Sequence, residues 1–289
     1  MDKRKKYLIG LDTETCNGFP VDGKLDLTQS LVYDIGWAVV DKKGNVFLTR
    51  SFVIAEVFLD MRDVMKSAYY ADKIPQYWEQ IKSGDRKLAT WYTVSKAFRQ
   101  DIEEYNVEVV FAHNASFDYR ALNNTQRYIT KSKYRYFIPY GIEIWDTLKM
   151  SRQIFGSMNT YKQFCIDNGY LTKHKTPRPR YTAEILYRYL TGNNDFVESH
   201  TGLEDVLIEK DILSACLRQH KHCVCGLWDK VTMTYDQIDL RTISKDFMNN
   251  WFYDNKGSAE QFETYTYLLE NEGFHSARRY FVKEFVEFL

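Results

Sequence analysis

Apolar residues near the start of the chain form three runs separated by polar breaks. Residues 6–12, 31–40 and 46–54 each have the length and apolar content of a buried β-strand. Between the second and third runs, residues 41–45 combine charged residues with glycine and asparagine, which favours a hairpin turn. The chain is therefore predicted to open with three strands in an antiparallel meander.

Further along the chain, helical spacing alternates with apolar runs. Residues 88–105 repeat apolar side chains at helical spacing, and the continuous apolar run 107–112 predicts a central strand. A helix is expected to begin near Ala115, directly after that strand. The remaining predicted elements are a strand at 141–145 and helices at 148–155, 160–169, 181–190 and 201–222. This order predicts an α/β protein with a mixed sheet covered by helices.

The pattern changes after residue 225, where we place a boundary between a main domain, residues 1–225, and a helical C-terminal extension, residues 226–289. Ser258 and Gln261 have the spacing of a capping box at the start of a helix. The predicted helices of the extension are 236–251, 258–273 and 276–289. The last of them carries an aromatic face formed by Phe281, Phe285 and Phe288.

Charge and composition narrow the possible partners. The chain has 39 Lys+Arg and 39 Asp+Glu residues, so its formal net charge is zero. Proteins that bind nucleic acid through an extended basic surface carry excess positive charge, so any such contact must be local here. Basic residues cluster at 3–6, 131–135 and 173–180, and each cluster is either a solvated loop or a local binding patch.

The cysteines and the apolar runs predict a cytoplasmic location. The five cysteines follow no secreted framework, no signal peptide precedes them, and no apolar run reaches the length of a membrane span. One crowded segment contains His220, His222, Cys223 and Cys225, but its spacing differs from the usual zinc motifs. We interpret it as the end of a helix with a basic tail.

Candidate chemistry begins with the triplet Asp12-Thr13-Glu14, at the end of the first predicted strand. Residues i and i+2 of a strand point to the same side, so Asp12 and Glu14 direct two carboxylates at one point. Two like charges this close are unfavourable unless a cation or a proton lies between them. Magnesium or manganese suits such hard oxygen ligands. The alternative is a solvated strand end that is merely acidic.

Another acidic position follows the predicted central strand. Asp118 lies on the first turn of the helix that begins near Ala115, at the edge of the sheet. An acid at this position is also stabilised by the helix dipole without any functional role. Asn114 and Ser116 likewise suit turn or cap positions. Taken alone, this segment leaves both interpretations open.

A histidine and an acid flank the start of the last helix of the main domain. Thr201 and Glu204 have capping-box spacing, which makes Thr201 the N-cap. His200 and Asp205 then occupy the two positions that meet in a hydrophobic staple, so we expect them to be in contact. A histidine beside an acid at the positive end of a helix is a candidate for proton transfer. A lone histidine there is usually a loop residue.

These three segments, in this order, resemble the DEDDh family of RNase-H-like 3′-to-5′ exonucleases, which includes the proofreading epsilon subunit of bacterial DNA polymerase III. The resemblance rests on Asp-x-Glu in the first strand, His-Asn-x-x-Phe-Asp ending at Asp118, and His-x4-Asp from His200 to Asp205. It covers residues 6–222 and implies an RNase-H-like mixed β-sheet flanked by helices. The chain departs from the family in residues 57–87 and in the extension.

The resemblance implies two divalent cations, Mg²⁺ or Mn²⁺, and assigns residues to them. The implied metal ligands are Asp12, Glu14, Asp118 and Asp205, with Asp12 as the bridge between the metals. His200 would be the general base. His113 is the rival base, although its place before Asn114 favours a structural role. The implied substrate-contacting residues are Thr13, Asn114 and Phe117.

The implied reaction is hydrolysis from the 3′ end of single-stranded nucleic acid, with DNA favoured over RNA, to nucleoside 5′-monophosphates. Two alternatives stay open: an RNA-trimming enzyme of the same fold, and a non-catalytic module that binds nucleic acid or a polymerase. The C-terminal helices are a candidate docking element for a polymerase or another replication or repair protein. No membrane contact is expected.

Overall fold

The computed structural model describes residues 6–16, 30–66, 68–130, 136–227, 244–253 and 257–285. Two compact units divide the chain, Met1–Leu227 and Trp228–Leu289, and each is described by itself. The predicted basic cluster 131–135, residues 3–5 of the N-terminal cluster and Phe288 lie outside the described residues.

The described strands of the first unit form one six-stranded mixed sheet in the order β4-β3-β2-β1-β5-β6. Among them, β2 runs antiparallel to the other strands, which are parallel to one another. The strands are β1 (Tyr7–Cys16), β2 (Leu31–Asp41), β3 (Val46–Ile54), β4 (Lys87–Ala89), β5 (Val109–Ala112) and β6 (Glu143–Asp146). This is the predicted mixed sheet, and β4 lies at one edge of it.

The described helices of this unit cover both faces of the sheet. They are α1 (Ala55–Phe58), α2 (Arg62–Met65), α3 (Ile74–Ser83), α4 (Trp91–Tyr105), α5 (Ala115–Ile129), α6 (Thr147–Ile154), α7 (Asn159–Asp167), α8 (Ala183–Thr191) and α9 (Gly202–Arg218). The helix predicted at 88–105 begins later, at Trp91, because β4 pairs with β3 and Thr90 caps the helix through a bond from the Thr93 N–H. No helix is predicted for residues 57–87. In the structure this segment contains the end of α1 and the whole of α2 and α3.

Strand β1 is longer than predicted, because β2 pairs with it as far as Cys16. The triplet Asp12-Thr13-Glu14 therefore lies within the strand and not at its end. A register shift follows Glu14, but the alternation of faces holds through the triplet. Asp12 and Glu14 are partly exposed, and Thr13 between them is buried on the other side.

Helix α9 packs against β1 and β2 at unusually short range. A Cβ atom on Gly36 of β2 would lie 2.1 Å from the backbone nitrogen of Leu203, so no side chain fits between the strand and the helix. Even-numbered residues of β2 face this helix, and Ala38 and Val40 join its apolar core. Because Asp12 pairs with Gly36 across the strands, the start of α9 is brought to the acidic part of β1.

A buried polar network anchors the start of α9. The carboxylate of Asp34 on β2 accepts hydrogen bonds from the Gly202 N–H at 3.0 Å and the Tyr77 hydroxyl at 2.8 Å. Arg86 donates to Asp34 at 2.8 Å and to Glu204 at 2.8 Å. Arg86 and Asp34 are almost fully buried, so each compensates the charge of the other.

The capping box predicted for Thr201 and Glu204 is wrong, although Thr201 is the N-cap. The Thr201 N–H donates to the Asp205 carboxylate at 3.1 Å, and its hydroxyl donates to the Glu204 side chain at 2.7 Å. Arg86 also binds Glu204 and holds it away from the Thr201 backbone. Asp205 thus accepts the hydrogen bond from the Thr201 N–H that Glu204 would accept in a capping box. Asp205 therefore belongs both to the N-terminus of α9 and to the acidic site.

The end of α9 also differs from the prediction. The helix stops at Arg218, with Gln219 as C-cap, and not at residue 222. The chain beyond it is extended: Asp146 N–H donates to Cys225 carbonyl at 2.9 Å, and Leu227 N–H to Ile144 carbonyl at 2.7 Å. The segment predicted as a basic tail thus reaches the β6 edge.

The second unit is helical in the part that the structure describes. Its helices are α10 (Lys245–Tyr253), α11 (Ala259–Asn271) and α12 (Phe274–Phe285). The predicted capping box at Ser258 is confirmed, with both reciprocal bonds to Gln261 present. Phe281 and Phe285 are buried in the core of this unit, as their shared face predicts. No helix among the described residues is long and apolar enough to cross a membrane.

Candidate metal centre and cleft

Two carboxylates of β1 and one of α9 converge on one point. One carboxylate oxygen each from Asp12, Glu14 and Asp205 lie within 4.8 Å of one another. The alternation of β1 explains why Asp12 and Glu14 share a side, and the close packing of α9 brings Asp205 to that side. Asp205 is held in place by the Ser199 hydroxyl at 3.2 Å and the Thr201 N–H at 3.1 Å.

Asp118, on α5, adjoins this group, because its charge acts on that of Asp12. Its oxygens are not among those that lie within 4.8 Å of one another, and it is not among the residues that line the cleft described below. It lies on the first turn of the helix and is almost fully buried. The Thr13 hydroxyl donates to one of its oxygens at 2.8 Å, and the Thr13 N–H is also bonded to it. The structure therefore gives Thr13 a buried, positioning contact with Asp118, and its contact with the substrate stays a prediction.

Glu209 is a fifth carboxylate at this point, and the sequence-based prediction did not include it. It follows Asp205 by one helical turn on α9, so the two side chains share a face. Its side chain is 2% exposed, and its oxygen Oε2 has no hydrogen-bond partner among the described residues. Its charge acts on those of Asp118 and Asp205, and also on that of Asp12.

Burial raises the pKa of all five carboxyl groups above their ordinary values. The value is about 9 for Glu14, about 8 for Asp205 and about 7 for Asp118. For Asp12 and Glu209, burial and then repulsion from the neighbouring carboxylates raise the pKa strongly. Without a cation, such a group of acids stays protonated or carries uncompensated charge. Hard carboxylate oxygens in this number fit Mg²⁺ or Mn²⁺.

His200 lies beside this group with its ring partly exposed. Its imidazole stacks on the Tyr70 ring, with centroids 4.5 Å apart and planes 14° apart. Lys73 lies over the same tyrosine ring and donates to the Ser199 carbonyl, which precedes His200. Burial and the charge of Lys73 lower the pKa of His200, so the imidazole is neutral at neutral pH. A neutral imidazole is able to accept a proton.

The acids grouped with His200 are not the one we predicted. Ligand atoms of His200, Glu184 and Glu198 lie within 4.8 Å of one another, whereas Asp205 belongs to the group with Asp12. The Nδ1 atom of His200 is 3.8 Å from Glu198 Oε2, which is beyond hydrogen-bond length. His200 has a positive φ of 50°, which turns its side chain away from an ordinary N′ conformation.

His113 has the structural role that the sequence favours. Its Nδ1 atom lies 3.0 Å from the Thr147 hydroxyl and its Nε2 atom 2.7 Å from the Tyr181 carbonyl. Both ring nitrogens are therefore engaged, and burial lowers the pKa of the imidazole. His113 thus links β5 to the start of α6 and to the segment before α8.

The other predicted substrate residues lie in different surroundings. Asn114 is exposed, has a positive φ of 70°, and lines the cleft next to the carboxylates. Its N–H donates to Asp146 at 3.1 Å. Phe117 is half-buried and is not among the residues that line the cleft.

A cleft of about 990 Å³ is lined by both acidic and basic residues. Its acidic lining residues are Asp12, Glu14, Glu198, Asp205 and Glu209, and Arg152 is one of its basic lining residues. Further basic lining residues are His174, Arg178 and Arg180, which belong to residues 171–180, called here the basic hairpin. The hairpin is closed by a bond from Thr172 N–H to the Arg178 carbonyl at 2.8 Å.

The crowded histidines and cysteines of residues 220–225 lie away from this site. His220 and His222 are exposed, and the thiols of Cys223 and Cys225 lie 3.8 Å apart. Within the described ranges, the two groups of three or more metal-ligating side chains are the ones given above, and neither includes this segment.

Comparisons with known proteins yield structural neighbours only. No protein-family model matches the chain, and no curated protein matches its sequence. Exonuclease X in complex with 5′-overhanging duplex DNA is 17% identical at a TM-score of 0.37, over 74% of this chain and 92% of that one. The nuclease domain of 3′hExo, a DEDDh family member bound to rAMP, is 11% identical at a TM-score of 0.46, over 78% and 98%. Pop2p of S. pombe, with Mg²⁺ and Mn²⁺ bound, is 13% identical at a TM-score of 0.41, over 83% and 88%.

Proposed function

We propose that this protein is a metal-dependent 3′-to-5′ exonuclease of the DEDDh type. The observation that carries the proposal is the grouping of Asp12 and Glu14 of β1 with Asp205 of α9, with Asp118 of α5 beside them, at a cleft that His200 also lines. Bound divalent cations beside a proton acceptor are able to catalyse phosphodiester hydrolysis.

The four carboxylates would hold Mg²⁺ or Mn²⁺, and the charges of the other three all act on Asp12. Divalent cations bound there stabilise the charge that develops on phosphate oxygens during hydrolysis. Two cations would balance the charge of four carboxylates. Thr13 keeps Asp118 oriented by two hydrogen bonds, and Ser199 and Thr201 do the same for Asp205.

His200 would act as the general base that removes the proton from the attacking water. Its lowered pKa keeps the imidazole in the neutral, accepting form. Tyr70 restricts the plane of the ring by stacking, and Lys73 fixes the backbone at Ser199. The basic hairpin and Arg152 would attract the phosphates of the substrate toward an otherwise acidic cleft.

The substrate would be the 3′ end of a single strand, DNA in preference to RNA, and the product a nucleoside 5′-monophosphate. All five cysteines are free thiols, which fits the predicted cytoplasmic location. Docking of a polymerase or another replication or repair protein on α10 to α12 also stays a prediction.

Cleavage of end-labelled oligonucleotides tests the proposed function. Single-stranded DNA and RNA labelled at the 5′ end are incubated with the protein and Mg²⁺ or Mn²⁺, and with EDTA as the metal-free control. We expect a ladder of stepwise shortened products and release of nucleoside 5′-monophosphates. Binding of the oligonucleotides without cleavage under any of these conditions would favour the non-catalytic module. Faster shortening of RNA would favour the RNA-trimming alternative.

The pH dependence of cleavage tests the role of His200. Because the pKa of the imidazole is lowered, we expect kcat to rise with a midpoint below about 6.5, the ordinary histidine value. His200→Ala should lower kcat by about 10²-fold to 10⁴-fold and remove this limb of the profile. The matched control is His220→Ala, on an exposed residue after α9. Full activity of His200→Ala would rule out the assignment.

Charge reversal in the basic hairpin tests the path of the substrate. The variant combines Lys173→Glu, Lys175→Glu, Arg178→Glu and Arg180→Glu. We expect KM to rise and the slope of log K against log salt to flatten by about 0.7 for each lost phosphate contact. The control reverses Lys42 and Lys43, which are exposed at the turn between β2 and β3. Equal binding by wild type and the hairpin variant would exclude this path.

A further inference from the structure

The starting observation is a buried acid with an unused oxygen. Glu209 is 2% exposed, and Oε2 has no hydrogen-bond partner among the described residues. The carboxylate accepts a hydrogen bond from the backbone N–H of His113. In the described part of the chain, no lysine or arginine forms an ion pair with it. Buried acids are ordinarily paired or bound to metal.

The position of Glu209 places its unpartnered oxygen among other acids. It lies one helical turn after Asp205 on α9 and lines the same cleft. The charges of Asp118, Asp205 and Glu198 act on Glu209, and that of Glu209 acts on Asp12. Each of these neighbours is itself an acid, so none of them compensates the charge of Glu209. A cation is the group that would satisfy all of them at once.

Glu209 and Asp118 adjoin the group of three acids whose ligand atoms lie close together. Asp12, Glu14 and Asp205 bring ligand atoms within 4.8 Å of one another. The charges of Asp118 and Glu209, both almost fully buried, act on Asp12, and the charge of Asp118 acts on Glu209. Glu209 therefore belongs to the surroundings in which a cation would be bound.

We propose that Glu209 is a fifth carboxylate of the metal centre and that its unpartnered oxygen binds a divalent cation there. This inference rests on the proposed function in that it assumes a divalent cation among the acids. It goes beyond that function because the four-acid motif ends at Asp205. The extra acid gives the metal centre one more negative ligand and should tighten its hold on the cation.

The proposal is tested by Mn²⁺ titration of the full chain in a calorimeter, with no substrate present. The variants are Glu209→Gln, which keeps the shape of the side chain, and Glu209→Asp, which keeps the charge but withdraws the oxygens. The control is Asp211→Asn, a partly exposed acid two residues further along α9. All variants are also compared with wild type by circular dichroism and by metal-free melting temperature.

We expect Glu209→Gln to weaken one Mn²⁺ site by about tenfold or more, and Glu209→Asp to weaken the same site by less. Asp211→Asn should bind Mn²⁺ as wild type does. Metal-free Glu209→Gln should melt at or above the wild-type temperature, because a buried unpaired charge is removed. If Glu209→Gln and Glu209→Asp both keep wild-type Mn²⁺ affinity, the role of Glu209 is overturned while the proposed exonuclease stands. If wild type itself binds no Mn²⁺, both proposals fall.

Discussion

Asp12→Asn is expected to slow oligonucleotide shortening by about a thousandfold or more, which corresponds to about 4 kcal/mol of lost transition-state stabilisation. The charges of Asp118, Glu209, Glu14 and Asp205 all act on Asp12, which makes it the acid common to the whole group. The amide keeps the shape of the side chain and removes its charge, so both cations would lose a ligand. The measurement is single-turnover cleavage of a 5′-labelled strand at saturating Mg²⁺ or Mn²⁺.

The same substitution should not weaken the metal-free fold. The Asp12 carboxyl group is surrounded by other acids and its pKa is strongly raised by burial, so its ionised form opposes folding. We therefore expect Asp12→Asn in EDTA to have a melting temperature equal to or above that of wild type. Asp60→Asn, an exposed acid between α1 and α2, is the control for both measurements. An active Asp12→Asn, or one that is inactive only because it is unfolded, would contradict this account.

Metal-free protein is expected to lose stability as pH rises, the opposite of ordinary acid denaturation. Glu14, Asp205 and Asp118 have folded-state pKa values of about 9, 8 and 7, above the ordinary values near 4. The folded protein therefore holds more protons than the unfolded chain between about pH 4 and pH 9. The stability gained from these groups is complete below about pH 4 and declines until each folded-state pKa has been passed.

The expected loss is about 1.4 kcal/mol per pH unit for each proton that the folded state holds in excess. It is measured by urea unfolding in EDTA at about pH 5.5, 7 and 8.5. Mg²⁺ or Mn²⁺ should remove most of the decline, because cations replace the protons and bind only the folded state. The double variant Asp12→Asn/Asp205→Asn should also show a smaller decline. A metal-free stability that is constant or rises over this range would contradict the charge cluster.

The parts of the fold that follow from local pattern were predictable. The meander of β1 to β3 follows from three apolar runs and one turn, and the observed pairing confirms it. The shared side of Asp12 and Glu14 needs only the period of a strand. The Ser258 capping box also formed, as the spacing of Ser258 and Gln261 predicts.

The parts that depend on distant residues were not predictable. Glu204 does not form the predicted capping box, because its side chain is bound by Arg86, more than a hundred positions earlier in the chain. His200 was expected against Asp205, but its stacking partner Tyr70 comes from a segment in which no helix was predicted. No local pattern connects these segments, since their contact is created by the packing of the fold.

The sequence also contains a pattern that indicates Glu209. It follows Asp205 by four residues in a helix that was predicted, so both acids had to share a face. Glu198 and Glu184 carried no comparable signal, because their meeting with His200 depends on how the chain after α8 returns to the cleft.

Location of Mn²⁺ by anomalous diffraction, in a crystal that also contains a nucleoside 5′-monophosphate, tests the central claim most directly. We predict two anomalous peaks about 4 Å apart among the carboxylates of Asp12, Glu14, Asp118 and Asp205. The phosphate of the nucleotide should contact both peaks. Peaks confined to the group of Glu184, Glu198 and His200, or a nucleotide bound away from the β1 carboxylates, would contradict the account.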